Sequence, residues 1–520
     1  MPTQHDLFSA FLSAAKIHGW SRQILEDVGG DKLTYRRILA TSLACGAWAR
    51  RFSAEREVVG VLLPNVNITV PMLLGLVAAR RVPAMLDYTA GTAGVAAACA
   101  AAKIATIISS RRFLDTLKLQ DIAHSLAGSR VVYVEDIPQA SGWLRKVGTG
   151  MRAALFPGMP AGTAAPDQPA LVVFTSGSEA HPKGVVLSHA AILSNIEQLG
   201  QVIDFNAQDR FLNTLPLHHT YGLTVCTLLP LLYGARICLH TSPLHYDTIP
   251  RLARDWRATC LFGTSSFLYH YAKHAHADDF RSVRHVVCGG EKLSEEVRTT
   301  WMEKFGLRIL EGYGASECAP VISVNTPLAY KQGSVGRLLP GIEHRIEAVP
   351  GIAKGGVLHL RGPNLMLGYY LHDRPGVLQP PASVYGAGWY NTGDVVEIDA
   401  DGYLAIKGRI RRFAKIGGEM VSLEAAEHIA RHAAPQHQHA AALKSDVGRG
   451  ESIVLFTTAP ALDRLALARA AKALGYPELA IARHCVHVDA LPLLAIGKVD
   501  HAELAKQARQ LPSHPAPGMG

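Results

Sequence analysis

No two of the eight cysteines, at positions 45, 99, 226, 238, 260, 288, 318 and 485, form a Cys-x-x-Cys pair or stand at metal-ligand spacing. A disulfide-stapled secreted domain is thereby excluded, and reduced, mostly buried thiols in a cytosolic protein are expected. Residues 1–6 lack the basic stretch and apolar core of a signal peptide, which also points to a cytoplasmic location. An uninterrupted membrane span is missing too. The stretch from Val58 to Ala79 is apolar, but Pro64, Asn65, Asn67 and Pro71 break it, so a buried strand over 58–63 and a helix over 66–80 are expected. No run alternates basic with aromatic residues, so no nucleic-acid partner is expected. Charge of one sign is not strongly dominant: 52 Lys plus Arg against 43 Asp plus Glu give +9. That balance suits a nucleotide, an acidic carrier protein or an anionic bilayer surface without requiring any of them. With 48% apolar and 18% charged residues over 520 positions, the chain has ordinary globular composition and length for several cores.

What is present is most informative at residues 170–185. Ala170 to Phe174 is a short apolar run, Thr175 to Val185 is rich in hydroxyls and glycine and carries Lys183, and Leu187 to Leu199 has amphipathic helical spacing. A strand–loop–helix unit is expected, in which backbone N–H groups, the hydroxyls of Thr175, Ser176 and Ser178, and the ammonium of Lys183 converge on phosphate oxygens around Gly177. The Walker pattern is excluded, because it would need glycine at Pro182 and Lys-Ser/Thr directly after it. Three further segments follow: Glu311 to Glu317 with Gly312, Tyr313, Gly314 and Ser316; Tyr390 to Asp394 with Gly408 and Arg409; and Leu491 to Lys498.

In order and spacing these four segments resemble the adenylate-forming superfamily of acyl-CoA synthetases, luciferases and peptide-synthetase adenylation domains. Residues 213–224, 242–246, 261–265 and 413–424 narrow the likeness. They look like the acyl-ACP synthetase half of the bacterial bifunctional 2-acylglycerophosphoethanolamine acyltransferase/acyl-ACP synthetases, from about residue 30 onward. His274 and Asp279 match the acyltransferase His-x4-Asp signature in letters only, and no acyltransferase site is expected there.

Apolar runs at 58–63, 104–108, 131–134, 171–174, 236–239, 258–262 and 285–288, separated by helical patterns, imply an α/β fold of parallel sheets covered by helices. Short alternating segments at 355–360, 393–398 and 402–407 imply a small β subdomain. A boundary is expected at 408–412, with an N-terminal adenylate-forming domain over 1–408 and a mobile α+β C-terminal lid over 409–520.

The resemblance implies roles for single residues. Thr175, Ser176, Gly177, Ser178 and Lys183 match the loop that holds the β- and γ-phosphates of ATP. Glu317 matches the carboxylate that holds Mg²⁺ against them, with Ser316 in place of the commoner threonine. Gly289, Gly290 and Glu291, with Gly312, Tyr313 and Gly314, would wall the adenine; Asp394 would accept from the ribose hydroxyls, and Arg409 would reach the nucleotide. Lys498 would bridge the incoming carboxylate and the α-phosphate. His219 matches a histidine at the mouth of the acyl pocket, while His218 stands where relatives usually carry phenylalanine, which leaves open which imidazole faces the substrate. Arg412 matches the hinge, and Lys415 to Glu419 the loop that enters the site after the lid rotates, with Gly418 leaving room for a phosphopantetheine arm.

The reaction expected is activation of a fatty acid to acyl-AMP with release of pyrophosphate, then transfer to the thiol of acyl carrier protein. CoA as acceptor is the alternative, because the catalytic motifs do not specify the carrier. A non-catalytic nucleotide-binding relative should have lost Lys498, Glu317 or Asp394, and all three are present. Ala180 replaces a glycine usual in relatives; where φ is positive this costs on the order of 1 kcal/mol. Lastly, Leu144, Val147, Met151, Leu155 and Phe156 fall near one helical face of 143–156, and Arg145, Lys146 and Arg152 add positive charge. Such a segment suits peripheral contact with an anionic membrane.

Overall fold

The computed structural model describes residues 6–126, 128–137, 164–175, 181–352, 354–416, 419–446, 450–493 and 499–511. All seven apolar runs named above lie in strands of two large sheets, mostly parallel. One sheet has eight strands, with Val58–Val61 inside it between Val82–Met85 and Thr106–Ser109. The other has nine, in which Arg210–Asn213, Arg236–Leu239, Cys260–Gly263, His285–Cys288 and Ile309–Gly314 run parallel. Valine, isoleucine and leucine dominate these strands because both faces of a parallel sheet are covered. Their side chains pack with the flanking helices into one large core and two smaller ones.

The apolar stretch at 58–79 divides into strand Val58–Val61 and helix Thr69–Ala78, every residue of which is buried. A helix that is hydrophobic all round needs cover on all sides. Helix Tyr35–Ala49 supplies one side so closely that a Cβ at Gly46 would lie 2.5 Å from the Gly75 carbonyl oxygen. Among the described residues no helix is long and apolar enough to cross a membrane.

The phosphate-loop unit departs from expectation. Pro169–Thr175 is followed by a second strand, Lys183–Ser188, antiparallel to it, with Thr175 opposite Lys183. Helix His189–Val202 begins only after that strand, capped by Ser188. Val185 and Val186 are β-branched and, with Leu187, fully buried, so the run pairs as a sheet strand rather than opening the helix. The two strands therefore form a hairpin, and the helix starts only at the far end of the second strand. Strand Val82–Met85 was hidden from sequence by Pro83, a residue that removes a ladder donor from a central strand.

Four antiparallel strands, Glu343–Glu347, Gly356–Arg361, Tyr390–Ile398 and Leu404–Arg409, make the small β layer. From it the chain passes through the turn Ile410–Arg412 into a separate sheet containing Phe413–Ile416, Glu419–Ser422, His439–Asp446, Gly450–Thr457 and His484–His487. Helices Leu423–Ala433, Arg464–Leu474 and His501–Gln510 pack on that sheet. All eight cysteines are free; seven are buried and Cys485 is exposed.

Candidate active site

Strand Gly368–Leu371 pairs antiparallel with Lys183–Ser188, placing Tyr369 opposite Val185 and two positions from Lys183. The Tyr369 ring lies 5.7 Å from the Lys183 ammonium, and its hydroxyl donates to Glu317 Oε1 at 2.7 Å. Glu317 stands in the single turn Ser316–Cys318, fixed by a bond from Met366 N to its carbonyl at 2.8 Å. One phenol thus lies between a cation and a carboxylate that are far apart in sequence. Burial, then the charge of Glu317, holds the Tyr369 hydroxyl well above the ordinary phenol range, so it stays a donor. Glu317 presents the hard oxygen ligand that a magnesium ion carrying phosphates takes. Thr175 reaches the same hairpin end; Ser176, Gly177, Ser178 and Ala180 lie outside the described residues.

The second cluster is built from cross-strand neighbours. Asp394 and Arg409 stand opposite each other on adjacent strands, with Arg409 Nε 3.1 Å from Asp394 Oδ1. The Tyr313 hydroxyl donates to the other oxygen, Oδ2. Burial pushes the Asp394 carboxyl up, while Arg409 and Tyr313 oppose that shift. Each carboxylate oxygen keeps a lone pair for a further donor. Tyr390 joins the two clusters: it lies on the strand of Asp394, bonds to the Tyr369 hydroxyl and feels the charge of Glu317.

The residues expected to wall the adenine lie at the ends of two neighbouring parallel strands. Gly289 and Gly290 follow strand His285–Cys288, and Gly290 has φ of 80°, in the left-handed region. A Cβ at Gly289 would lie 3.2 Å from the Tyr221 ring, whose hydroxyl donates to Val287 O at 3.1 Å. The Glu291 carboxylate accepts from Ser266 N at 3.1 Å and Ser266 Oγ at 2.8 Å, at the start of helix Ser265–His274. It serves a helix N-terminus. Gly312 and Gly314 lie on strand Ile309–Gly314, while Ser316 Oγ is 3.3 Å from Thr220 Oγ1, tying that strand's end to the histidine segment.

His218 and His219 precede a π-helical stretch, Tyr221–Leu228. Gly222 is required there, because a Cβ would sit 2.4 Å from the Pro216 carbonyl oxygen. Asn65, fully buried, binds Leu215 O at 2.8 Å and accepts from Leu217 N at 3.0 Å, so it holds the segment from below. The two imidazoles meet edge to face with centroids 4.6 Å apart. His218 is buried and lies 3.2 Å from Asp87 Oδ1; burial, then His219, drives its pKa down to about 3. His219 is less enclosed. His274 and Asp279 do not cooperate: Asp279 pairs with Arg254 at 2.9 Å, and His274 Nδ1 is bonded to His270 O.

On the C-terminal side Arg412 pairs with Glu427 at 2.6 Å, and the same oxygen accepts from Ala441 N at 2.8 Å. Lys415 is exposed, and its N–H donates to Glu451 Oε2 at 2.6 Å. Gly418 and Lys498 lie outside the described residues, although Leu493 and Val499, on either side of the lysine segment, pair antiparallel. Residues 143–156, the expected interfacial segment, also lie outside.

The family model described as AMP-binding enzyme matches residues 12–370, more than half of the chain. The chain belongs to this AMP-binding enzyme family. Relatives of this AMP-binding protein include a long-chain-fatty-acid–CoA ligase of Escherichia coli O157:H7, 28% identical over 363 residues, covering 66% of this chain and 62% of that protein. A medium-chain fatty-acid–CoA ligase of Escherichia coli strain K12 is 29% identical over 357 residues, covering 65% and 61%. The chain thus spans about three fifths of the length of these relatives. ATP-bound MatB from Rhodopseudomonas palustris shares the fold, with a TM-score of 0.80, 21% identity and coverage of 98% and 99%.

Three residues of the site of this AMP-binding enzyme escaped the sequence reading. Tyr369 lies outside the motif segments and Tyr390 opens one of them without a role of its own, and nothing in sequence shows that their hydroxyls converge. Asp87 carried a usable signal: Asp87 followed two positions later by Thr89 is an Asx-turn pattern, and Thr89 N does donate to Asp87 Oδ1 at 2.8 Å.

Proposed function

We propose that this chain is an AMP-forming acid–thiol ligase that activates a fatty acid with ATP. The observation that carries the reading is the convergence of Lys183, Glu317 and Tyr369 beside Asp394, Tyr313 and Arg409, with Tyr390 between them. A cation and a metal-binding carboxylate beside a buried, partly satisfied acceptor suit a polyphosphate joined to a ribose. In the first step a carboxylate oxygen attacks the α-phosphorus of ATP; the bond to the β-phosphate oxygen breaks and pyrophosphate leaves. In the second the thiolate attacks the acyl carbonyl; the carbon–oxygen bond to AMP breaks and the thiol proton passes to solvent. Magnesium at Glu317 would neutralise phosphate charge during the first step. Both steps join anions or poor nucleophiles, so positioning and charge neutralisation supply most of the catalysis. Lys498 is assigned the bridge between the two reacting anions, His219 the mouth of the acyl pocket, and Arg412, Lys415 and Gly418 the hinge and thiol path of a lid over 409–520.

The acceptor has two readings. Similarity of residues 213–224 and 413–424 to acyl-ACP synthetases favours the phosphopantetheine of acyl carrier protein, and the names of the relatives favour CoA. Purified protein given ATP, magnesium and a panel of fatty acids should release pyrophosphate, and parallel reactions with holo-ACP and CoA assign the acceptor by mass. No pyrophosphate release with any acid would end the ligase reading. For the membrane, co-sedimentation with anionic liposomes at low salt should fall in a Trp143→Ala, Leu144→Ala, Phe156→Ala variant. Equal binding by both proteins would remove that contact.

A further inference from the structure

Asp87, at the start of the turn Tyr88–Ala90, faces His218 and His219, more than a hundred residues further on. One ligand-capable atom from each lies within 4.8 Å of the other two. His218 Nε2 and Asp87 Oδ1 are 3.2 Å apart; two ligands each about 2.1 Å from one metal lie roughly 3.0–3.4 Å from each other in octahedral or tetrahedral geometry. His218 has only 3% of its side chain exposed, and Nε2 has no hydrogen-bond partner, so its approach to Asp87 is not an aligned hydrogen bond. A buried ring nitrogen left in that state is costly unless another partner takes it up, and in the tautomer that leaves its lone pair there a metal ion can be that partner. The surroundings hold the geometry in place. Thr89 donates to Asp87 Oδ1 through N at 2.8 Å and Oγ1 at 2.6 Å, and the His218 ring is met edge-on by Tyr88 with centroids 5.1 Å apart.

We propose that Asp87, His218 and His219 bind a divalent transition-metal ion of the zinc class. Two imidazoles and one carboxylate suit borderline metals, whereas the single carboxylate of Glu317 suits magnesium. Three protein ligands leave a further coordination position, the pattern of open rather than closed structural sites. Phenylalanine, usual at position 218 in relatives, would supply no ligand.

The test uses the whole chain, stripped with chelator and given metal alone. Zinc is followed by calorimetry and cobalt by visible absorption, without nucleotide or acid, so failure here is distinct from failure of the ligase reading. A single tight equivalent and cobalt ligand-field bands are expected in the wild type. His218→Phe and Asp87→Asn should each weaken it by on the order of a hundredfold, and Glu317→Gln should leave it in place. His218→Phe introduces the side chain usual in those relatives; if its circular dichroism shows a folding defect, Asp87→Asn decides. Wild type and variants with equal stoichiometry and affinity, or loss of the equivalent in Glu317→Gln alone, would overturn the proposal.

Discussion

Replacing Tyr369 by phenylalanine removes one oxygen and keeps the ring. The strand pairing of Tyr369 with Val185 is made by backbone, and the aromatic face beside Lys183 survives, so the perturbation falls on the 2.7 Å bond to Glu317. A hydrogen bond to a charged group contributes about 1.5–3 kcal/mol net. Because Tyr369 is only partly buried, water can replace part of the interaction, and the low end applies: a loss of roughly tenfold in adenylation, since about 1.4 kcal/mol is a factor of ten. The loss should appear as a higher magnesium requirement, because the phenol orients the carboxylate proposed to hold the ion. Pyrophosphate exchange measured across a magnesium titration reads this directly, with Glu317→Gln as the more severe reference. Since burial and the neighbouring charge keep the phenol protonated well above its ordinary range, the variant and wild type should share one alkaline limb. If Tyr369→Phe matched wild type at every magnesium concentration while Glu317→Gln lost activity, the phenol would have no part in holding the carboxylate.

Three further outcomes are expected. Lys498→Ala should reduce adenylation by several orders of magnitude yet leave thioester formation from supplied acyl-AMP intact; near-normal pyrophosphate exchange would show that another group bridges the anions. Arg412→Pro fixes φ in the turn between the two sheets and removes the 2.6 Å pair with Glu427, so the two half-reactions should lose rate unequally. Equal losses would argue against a hinge at that turn. His189 is buried, its Nδ1 accepts from Leu7 N, and burial, opposed by Asp6, pushes its pKa down to about 4. The unfolded chain takes up a proton below about pH 6.5 that the native imidazole refuses until about 4, so stability is present above that window and lost as pH falls through it. His189→Gln should flatten this acid limb by up to about 3 kcal/mol in urea unfolding, and an unchanged limb would rule the residue out.

Sequence by itself determined the fold class, because apolar runs of four to six residues separated by helical periods leave few alternatives to covered parallel sheets. It also singled out Lys183, Glu317, Tyr313, Asp394 and Arg409, proposed here to face the nucleotide, through motifs whose order and spacing resemble adenylate-forming enzymes. The second strand of that hairpin was missed, since Lys183 to Val185 counted as loop and Leu187 as the start of the helix, and only pairing with Pro169–Thr175 makes Lys183–Ser188 a strand. Tertiary structure alone set which side chains meet. Tyr369 reaches Glu317 because strand Gly368–Leu371 docks on the hairpin. Glu291 turns to Ser266 because a helix N-terminus lies beside it. Asp87 faces His218 because Asn65, itself read only as a break in an apolar run, anchors the intervening layers. Hydrogen bonds between residues separated by tens to hundreds of positions leave no local trace, whereas hydrophobic period and turn composition are local by nature.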